Sequence, residues 1–436
     1  MHKNVIFLFL MTYILSTCSN SPDPCNIILI MADDMGYGDL ACYGSKDLQT
    51  PNLDAMALKG IKFLDYHSSG AVCSPTRAAL MTGRYQQRSG IEGVVTAARH
   101  RIGGLSPNEV TLSDIASSEG YRTAMFGKWH LGYDTAHFPV KNGFDVFNGF
   151  VSGNIDYHSH IDQTGHYDWW DGTDSLFEEG YLTDLITEKA VAFIDNNANE
   201  QFFLYLAHGA PHYPYQGRLD KADRIVNGKV PVVGTRKDRA GAYIEMIQAL
   251  DDGVGRVLAA LERNNLSEKT FVFFCSDNGA TPNVGSNGIL RGAKSTLWEG
   301  GHRVPAIAYW PEKIESGIND DLILSMDLLP TIAQLIGIDS KNYTLPDGID
   351  FSQQLFNPST LPERTVYWRF NKFTAARKEN WKYIKNKDQE YLFNLKTDLQ
   401  EQNNLKDSEP EIFNILRNSM RDWEEEMSQY KYFTGR

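Results

Sequence analysis

Two pairs of oxygen-bearing side chains, Asp33-Asp34 and Asp277-Asn278, follow directly on apolar runs, "NIILIMA" and "TFVFFCS". Adjacent carboxylates repel unless a cation lies between them, and a donor set built only from oxygen suits a hard ion such as calcium or magnesium. Either pair alone is more often a turn or a helix cap. Two pairs on converging strand ends favour the cation. Residues 71–83, "AVCSPTRAALMTG", set a cysteine before a Ser-Pro pair and an arginine. A small hydroxyl residue followed by proline starts helices, so Ser74 and Pro75 predict a helix through "TRAALM" with Cys73 at its positive end. A thiol there would ionise more easily. Sulfur is nevertheless a poor companion for a calcium-type ion, and an oxygen nucleophile at residue 73 fits better.

The run Cys73-Ser74-Pro75-Thr76-Arg77, with Thr82-Gly83, resembles the signature of the type I, formylglycine-dependent sulfatases, and the chain looks arylsulfatase-like. The likeness continues elsewhere. Ala32 to Asp39 and Ser276 to Gly279 are similar to that family's two metal-binding strand ends. Gly127-Lys128-Trp129-His130-Leu131-Gly132 resembles its second signature, although Phe126 stands where a small residue is usual. Lys294 with Trp298 to Pro305 is similar to the segment that carries an active-site lysine. In "HGAPHYP" the family pattern favours His212, just before an x-Pro pair, with His208 as the fallback.

The resemblance implies a division of labour. A maturation enzyme would convert Cys73 to formylglycine, whose hydrated aldehyde would share a calcium ion with Asp33, Asp34, Asp277 and Asn278. One hydroxyl would attack sulfur, giving a covalent sulfated enzyme, with His212 and Lys294 at the leaving alcohol. The second hydroxyl, deprotonated by His130, would expel sulfate by elimination, with Lys128 and Arg77 holding the hydrate. His302 and Arg303 would face the substrate, a sulfated glycan. Two alternatives stand beside this: phosphate or phosphonate ester hydrolysis on the same fold with residue 73 unmodified, and a catalytically silent glycan-binding lipoprotein.

These residues need a scaffold that brings distant strand ends together. Apolar runs starting at Asn26, Tyr121, Gln201, Thr270 and Val304, separated by amphipathic segments, predict an α/β fold with a parallel sheet. In such sheets ligands bind beyond the carboxyl ends of the strands. The resemblance implies the alkaline-phosphatase-like version, a central, mostly parallel sheet flanked by helices. Tyr243, Met246, Leu250, Val254, Val257 and Leu261 recur at helical spacing and predict a core-facing helix. From Pro346 the pattern turns aromatic and alternating, as in "TVYWRF" and "WKYIKN", and ends in "EIFNILRNSMRDWEEEM". This predicts a small antiparallel sheet with a closing helix. The expected division is a leader and linker over 1–24, a catalytic domain over 25–345 and a C-terminal subdomain over 346–436. Residues 156–172 are rich in His, Tyr and Trp without periodicity and read as a pocket-lining loop, where Trp169 or Trp170 could stack on a sugar; aromatic pairs more often pack cores.

A formal net charge of -13 excludes a nucleic-acid binder. It leaves room for an anionic substrate where Arg77, Lys128, Lys294 and Arg303 gather locally. The start, with Lys3, an apolar run from Val5 to Leu15 and small residues before Cys18, predicts an export signal. Leu15-Ser16-Thr17-Cys18 also resembles a bacterial lipobox, implying membrane attachment through a lipidated Cys18 and a periplasmic or outer-membrane location, or else simple secretion. Of the five cysteines, Cys25, Cys42 and Cys275 read as isolated thiols.

Overall fold

The computed structural model describes residues 25–228, 230–357 and 360–432. The predicted leader and Cys18 lie outside the described residues, among which no helix is long and apolar enough to cross a membrane.

The main sheet has ten strands. From edge to edge they are Gly317–Asn319, Ile61–Phe63, Ala306–Tyr309, Thr270–Ser276, Asn26–Ala32, Phe202–Ala207, Arg122–Lys128, Val146–Phe150, Trp170–Asp171 and Asp174–Ser175. The consecutive strands from Thr270–Ser276 to Val146–Phe150 all pair in parallel. Successive side chains of Asn26–Ala32 alternate between two apolar layers, Ile27, Leu29 and Met31 in one, Ile28, Ile30 and Ala32 in the other. Burial on both faces is why the strand reads as one unbroken apolar run. The long helix Arg239–Arg263 covers the second layer, with the six predicted positions from Tyr243 to Leu261 all buried.

Register builds the site. Ala32 pairs with Ser276, Met31 with Ala207, and Ala207 with Gly127. Asp33, Asp277 and Lys128 therefore reach the same carboxyl edge. The predicted strand near Val304 belongs to this sheet as Ala306–Tyr309 but runs antiparallel to Thr270–Ser276. Between Asp277 and Val304 the chain stays at the carboxyl edge, so it re-enters the sheet from that end.

The second sheet is an antiparallel meander, Thr365–Phe370, Phe373–Lys378, Trp381–Asn386 and Gln389–Asn394. The closing helix Pro410–Met427 turns Phe413, Leu416, Met420, Trp423 and Met427 inward. The meander begins later than the aromatic pattern suggests. Phe351 and Leu355 pack in the main core, with the Phe351 ring 5.9 Å from that of Phe63. The meander instead shares a core with Ala71, Ala79, Leu297 and Trp298, and the Trp368 indole donates to the Ser68 carbonyl at 2.9 Å.

A buried charge cluster ties the two sheets. Lys382 Nζ lies 2.7 Å from Glu299 Oε1 and 2.9 Å from Glu401 Oε1, and all three residues are fully buried. Asp65 meets Arg377 at 2.5 Å, His67 at 2.8 Å and Arg303 at 3.1 Å. Burial alone would raise Asp65 and Glu299. Arg377 and Arg303 around the first, and Lys382 with His67 and His302 around the second, hold both well below the ordinary carboxylate range. Glu401 goes the other way: burial pushes it up to about 7 against the pull of Lys382, and Glu299 adds to the rise.

Depressed carboxylates contribute stability that is present above their unfolded pKa and lost as pH falls through the folded one. Asp65 and Glu299 should therefore weaken the fold once pH drops below about 4. A raised carboxylate has the opposite sign, so ionising Glu401 should erode stability as pH rises from the unfolded value of 4.5 through about 7. In thermal melts against pH, Glu401→Gln should flatten that upper slope. Glu299→Gln, which removes the repulsion that helps raise Glu401 and leaves Glu401 as the partner of Lys382, should move that slope to lower pH in the same melts.

Candidate active site

Cys73 opens the helix Cys73–Thr82, one residue before the predicted Ser-Pro start, and every residue of that helix is buried. Gly83 ends it in the left-handed region at φ 66. From the helix start Cys73 Sγ faces the strand ends, 3.4 Å from Asp33 Oδ1 and 3.9 Å from Asp34 Oδ1. Lys294 Nζ approaches the same sulfur at 3.4 Å. One turn along the helix, Arg77 donates to Asp277 Oδ2 at 2.8 Å and to the Lys128 carbonyl at 3.0 Å. Lys128 Nζ meets Asp33 Oδ2 at 2.6 Å, and Lys294 Nζ meets Asp34 Oδ1 at 2.5 Å. Lys128 arrives through Gly127, whose φ is 105. A Cβ there would lie 2.0 Å from the Ala207 carbonyl oxygen, so only glycine lets the two strands approach this closely.

The charges are strongly biased. Burial pushes the Cys73 thiol well up, and Asp277 adds to the rise against Lys128 and Lys294. Burial also lifts Asp277, to about 6, helped by repulsion from Asp33 and opposed by Arg77. Asp34, although burial works against it, is held well below the usual range by Lys294 and His212.

Hydrogen bonds settle the two histidine tautomers. Nε2 of His130 lies 2.8 Å from the Val95 carbonyl, which can only accept, so Nε2 carries the proton. Nδ1 of His130 keeps a free lone pair with no protein partner. Burial, then Lys128 and Arg77, hold this imidazole well below its ordinary pKa. In His212 the pattern is reversed: Nδ1 donates to the Tyr213 carbonyl at 2.7 Å, and Nε2 turns its lone pair toward Asp34 Oδ2 at 3.6 Å. Burial lowers its pKa to about 3, with Asp34 opposing. Asp34 and His130 both hold left-handed backbones, φ 68 and 60, conformations that non-glycine residues keep only when their surroundings enforce them.

A cavity of about 390 Å³ opens over Cys73, with His130, His212 and Lys294 in its wall. The structure does not bring every predicted residue there. His302 is fully buried between the sheets, its Nδ1 2.9 Å from His67 Nδ1 and its ring against Trp368. Arg303 is spent on Asp65, Glu299 and the Leu64 carbonyl. Both follow Lys294 closely in sequence, but the short helix Glu299–His302 turns them toward the second sheet. Trp169 is buried on His160 and bonded to Glu178, and Trp170 packs edge-on against Phe138, so neither is a cavity wall. His208 is buried off the cavity with neither ring nitrogen bonded. The loop that carries Trp169 does contribute, through Asp162, Gln163 and Thr164. Sequence reasoning missed Thr281, which donates to Asp34 Oδ2 at 3.0 Å, and the wall residues Asn154 and Phe370.

The carboxylate and amide oxygens at this edge, not the sulfur or the imidazole, are the donors a hard cation takes. Asp33, Asp34, Cys73 and His212 place ligand atoms within 4.8 Å of one another. Asn278, bonded through Nδ2 to Asp34 at 2.7 Å, leaves its buried Oδ1 without a partner. Asp277 stands at the same edge but is engaged by Arg77 and by the Asp34 backbone N–H at 3.1 Å.

Known proteins of one family resemble this chain. The family model described as Sulfatase matches residues 25–338, more than half of the chain. N-acetylgalactosamine-6-sulfatase of Homo sapiens is 33% identical over 384 residues, 82% of this chain and 71% of that protein. Arylsulfatase A of Homo sapiens is 34% identical over 378 residues, 79% of this chain and 70% of that one. Among solved structures, Ps i-CgsB in complex with k-i-k-neocarrahexaose superposes with a TM-score of 0.85 at 30% identity, covering 94% of this chain and 95% of its own. PsFucS1 sulfatase from Pseudoalteromonas sp. has a TM-score of 0.76 at 24% identity, covering 94% and 92%, a likeness of fold.

Added calcium should raise the melting temperature, with about 2.7 kcal/mol of stabilisation at a hundredfold excess over Kd. Magnesium should give less. Asp34→Asn should remove the calcium shift in a thermal-shift titration, and an undiminished shift in that variant would exclude Asp34 as a ligand.

Proposed function

The chain belongs to the sulfatase family, whose fold is alkaline-phosphatase-like and whose members are sulfuric ester hydrolases, and from that premise we propose that it removes sulfate from a glycan using residue 73 after conversion to formylglycine. The observation that carries the reading is the convergence on Cys73 Sγ, where Asp33 and Lys294 both approach to 3.4 Å inside a motif of the formylglycine type. The names of the relatives, two of which specify sugars or sugar sulfates, support a carbohydrate substrate.

As formylglycine, residue 73 would supply a hydrated aldehyde, one hydroxyl displacing the alcohol at sulfur and the other expelling sulfate as the carbonyl reforms. A divalent ion held by Asp33, Asp34, Asp277 and Asn278 would supply electrophilic pull on a sulfate oxygen. The chain's own groups do the rest. Lys128 and Arg77 hold the acidic edge in place while offering positive charge beneath the sulfate. Lys294, kept protonated by Asp34 against the effect of burial, meets the charge that grows on the leaving oxygen. Nε2 of His212 faces the cavity as a lone pair; with an anionic ester beside it raising its proton affinity, it would take up a proton from solvent there and hand that proton to the departing alcohol. The free Nδ1 of His130 suits it to take the proton whose loss releases sulfate. The lysine, apolar run and Cys18 of the leader support export as part of the same reading.

Mass spectrometry of protein from its own organism should find an aldehyde in place of the Cys73 thiol; an intact thiol there would overturn the reading. Cys73→Ala should abolish sulfate release while keeping the melting temperature. His130→Ala should slow steady turnover about 10²–10⁴-fold, and a burst of alcohol ahead of sulfate would place its role in the second half of the reaction.

A further inference from the structure

We propose that the sugar bearing the sulfate is held by Asn154 and Phe370, and that this sugar carries no charge besides the ester. The proposal rests on the sulfate-ester reading of the same cavity.

Asn154 is 4% exposed and stands in the cavity wall. Its Oδ1 accepts from Nη2 of Arg224 at 2.8 Å. A guanidinium has no acceptor, so the amide cannot be flipped, and the oxygen is the end that faces Arg224. Arg224 is itself fixed: fully buried, it donates to the carbonyls of Ile161 and Val232, each at 3.1 Å. Its backbone N–H is tied to Asp156 at 3.0 Å. Asn154 Oδ1 is therefore held from behind, and its Nδ2 group, which meets no acceptor among the described residues, is left as a donor. A sugar hydroxyl or acetamido oxygen is the matching acceptor. Phe370 reaches the same cavity from the end of the strand Thr365–Phe370, half-buried, and offers a ring for the C–H face of a pyranose. A volume of about 390 Å³ holds the ester and about one sugar ring.

The cavity separates charge from neutrality. Its cation, Lys294, is at the sulfur end and bonded to Asp34. The wall from Val94 to Ala98 has no ionisable side chain. Asp162 is consumed by its own turn, Oδ1 accepting from the Thr164 N–H at 2.7 Å, the Thr164 hydroxyl at 2.8 Å and the His166 N–H at 3.0 Å. Arg101 lies outside that wall, exposed, and gives Nη2 to Thr164 Oγ1 at 2.8 Å and His166 Nδ1 at 3.2 Å. Among the described residues of the cavity wall Lys294 is the one lysine or arginine, so a uronate carboxylate would find no cation in the wall beside the ring, whereas a neutral hexose or N-acetylhexosamine meets the amide and the aromatic face.

The test compares kcat/KM on galactose 6-sulfate, N-acetylgalactosamine 6-sulfate, a 2-sulfated uronate and 4-nitrophenyl sulfate, using the mature calcium-loaded enzyme. Asn154→Asp keeps an acceptor for Arg224 but removes the donor, so folding is preserved. It should lower the ratio of sugar-sulfate to aryl-sulfate kcat/KM about tenfold. Phe370→Ala should raise KM for the sugar more than it lowers kcat. An unchanged ratio in Asn154→Asp, a uronate preferred over both neutral sugars, or aryl-sulfate turnover without any sugar-sulfate turnover each overturns the proposal. Wild-type enzyme that cleaves none of the four overturns the sulfate-ester reading itself.

Discussion

Asp33, Asp34 and Asp277 stand at 0–1% exposure within reach of one another, and an uncompensated buried carboxylate costs several kcal/mol. Each is answered by a cation from a different element: Lys128 from the strand end, Lys294 from the loop after Asn278, Arg77 from the Cys73 helix. That one-to-one pairing fixes where four separate parts of the chain must meet. It also leaves a remainder, since among the described residues the buried Asn278 Oδ1 has no hydrogen-bond partner. A divalent ion is the natural complement to such a remainder, and without one the pairing already balances the edge.

The second sheet reaches the candidate site through the Lys294 segment. Arg291 ahead of it donates to the Glu401 carbonyl at 2.6 Å and lies over the Trp298 ring at 3.6 Å. Behind it, the Glu299 N–H donates to Glu401 Oε2 at 2.8 Å while Lys382 grips the Glu299 carboxylate. Between these clamps Ser295, left-handed at φ 69, donates to the Ala71 carbonyl two residues from Cys73. The segment carrying Lys294 is thus held to the main sheet on one side and to the meander on the other.

Much of this was legible in the chain. Strand ends were visible because burial on both faces makes unbroken apolar runs, and polar pairs at their carboxyl ends can be read off directly, as for Asp33-Asp34 and Asp277-Asn278. The Cys73 helix and the Tyr243 to Leu261 stripe follow from local rules. What escaped depended on direction. His302 and Arg303 lie near Lys294 in sequence, but one turn of helix aims them at Asp65 and Lys382. Trp169 and Trp170 advertise a sugar platform by type, yet their indoles are committed to Glu178 and Asp168. Asn154 and Phe370 carry no motif, and only tertiary packing brings them over residue 73.

Phe370 stands at the tip of a hairpin, joined to Phe373 by a two-residue turn of Asn371 and Lys372 that is exposed to solvent. The reacting groups belong to a different sheet and share none of that turn's hydrogen bonds. Of the two proposed sugar contacts the aromatic one is therefore carried on a surface hairpin, while Asn154 and the paired charges around Cys73 sit beyond the main sheet, so a different ring at that tip leaves the ionic lattice beneath intact.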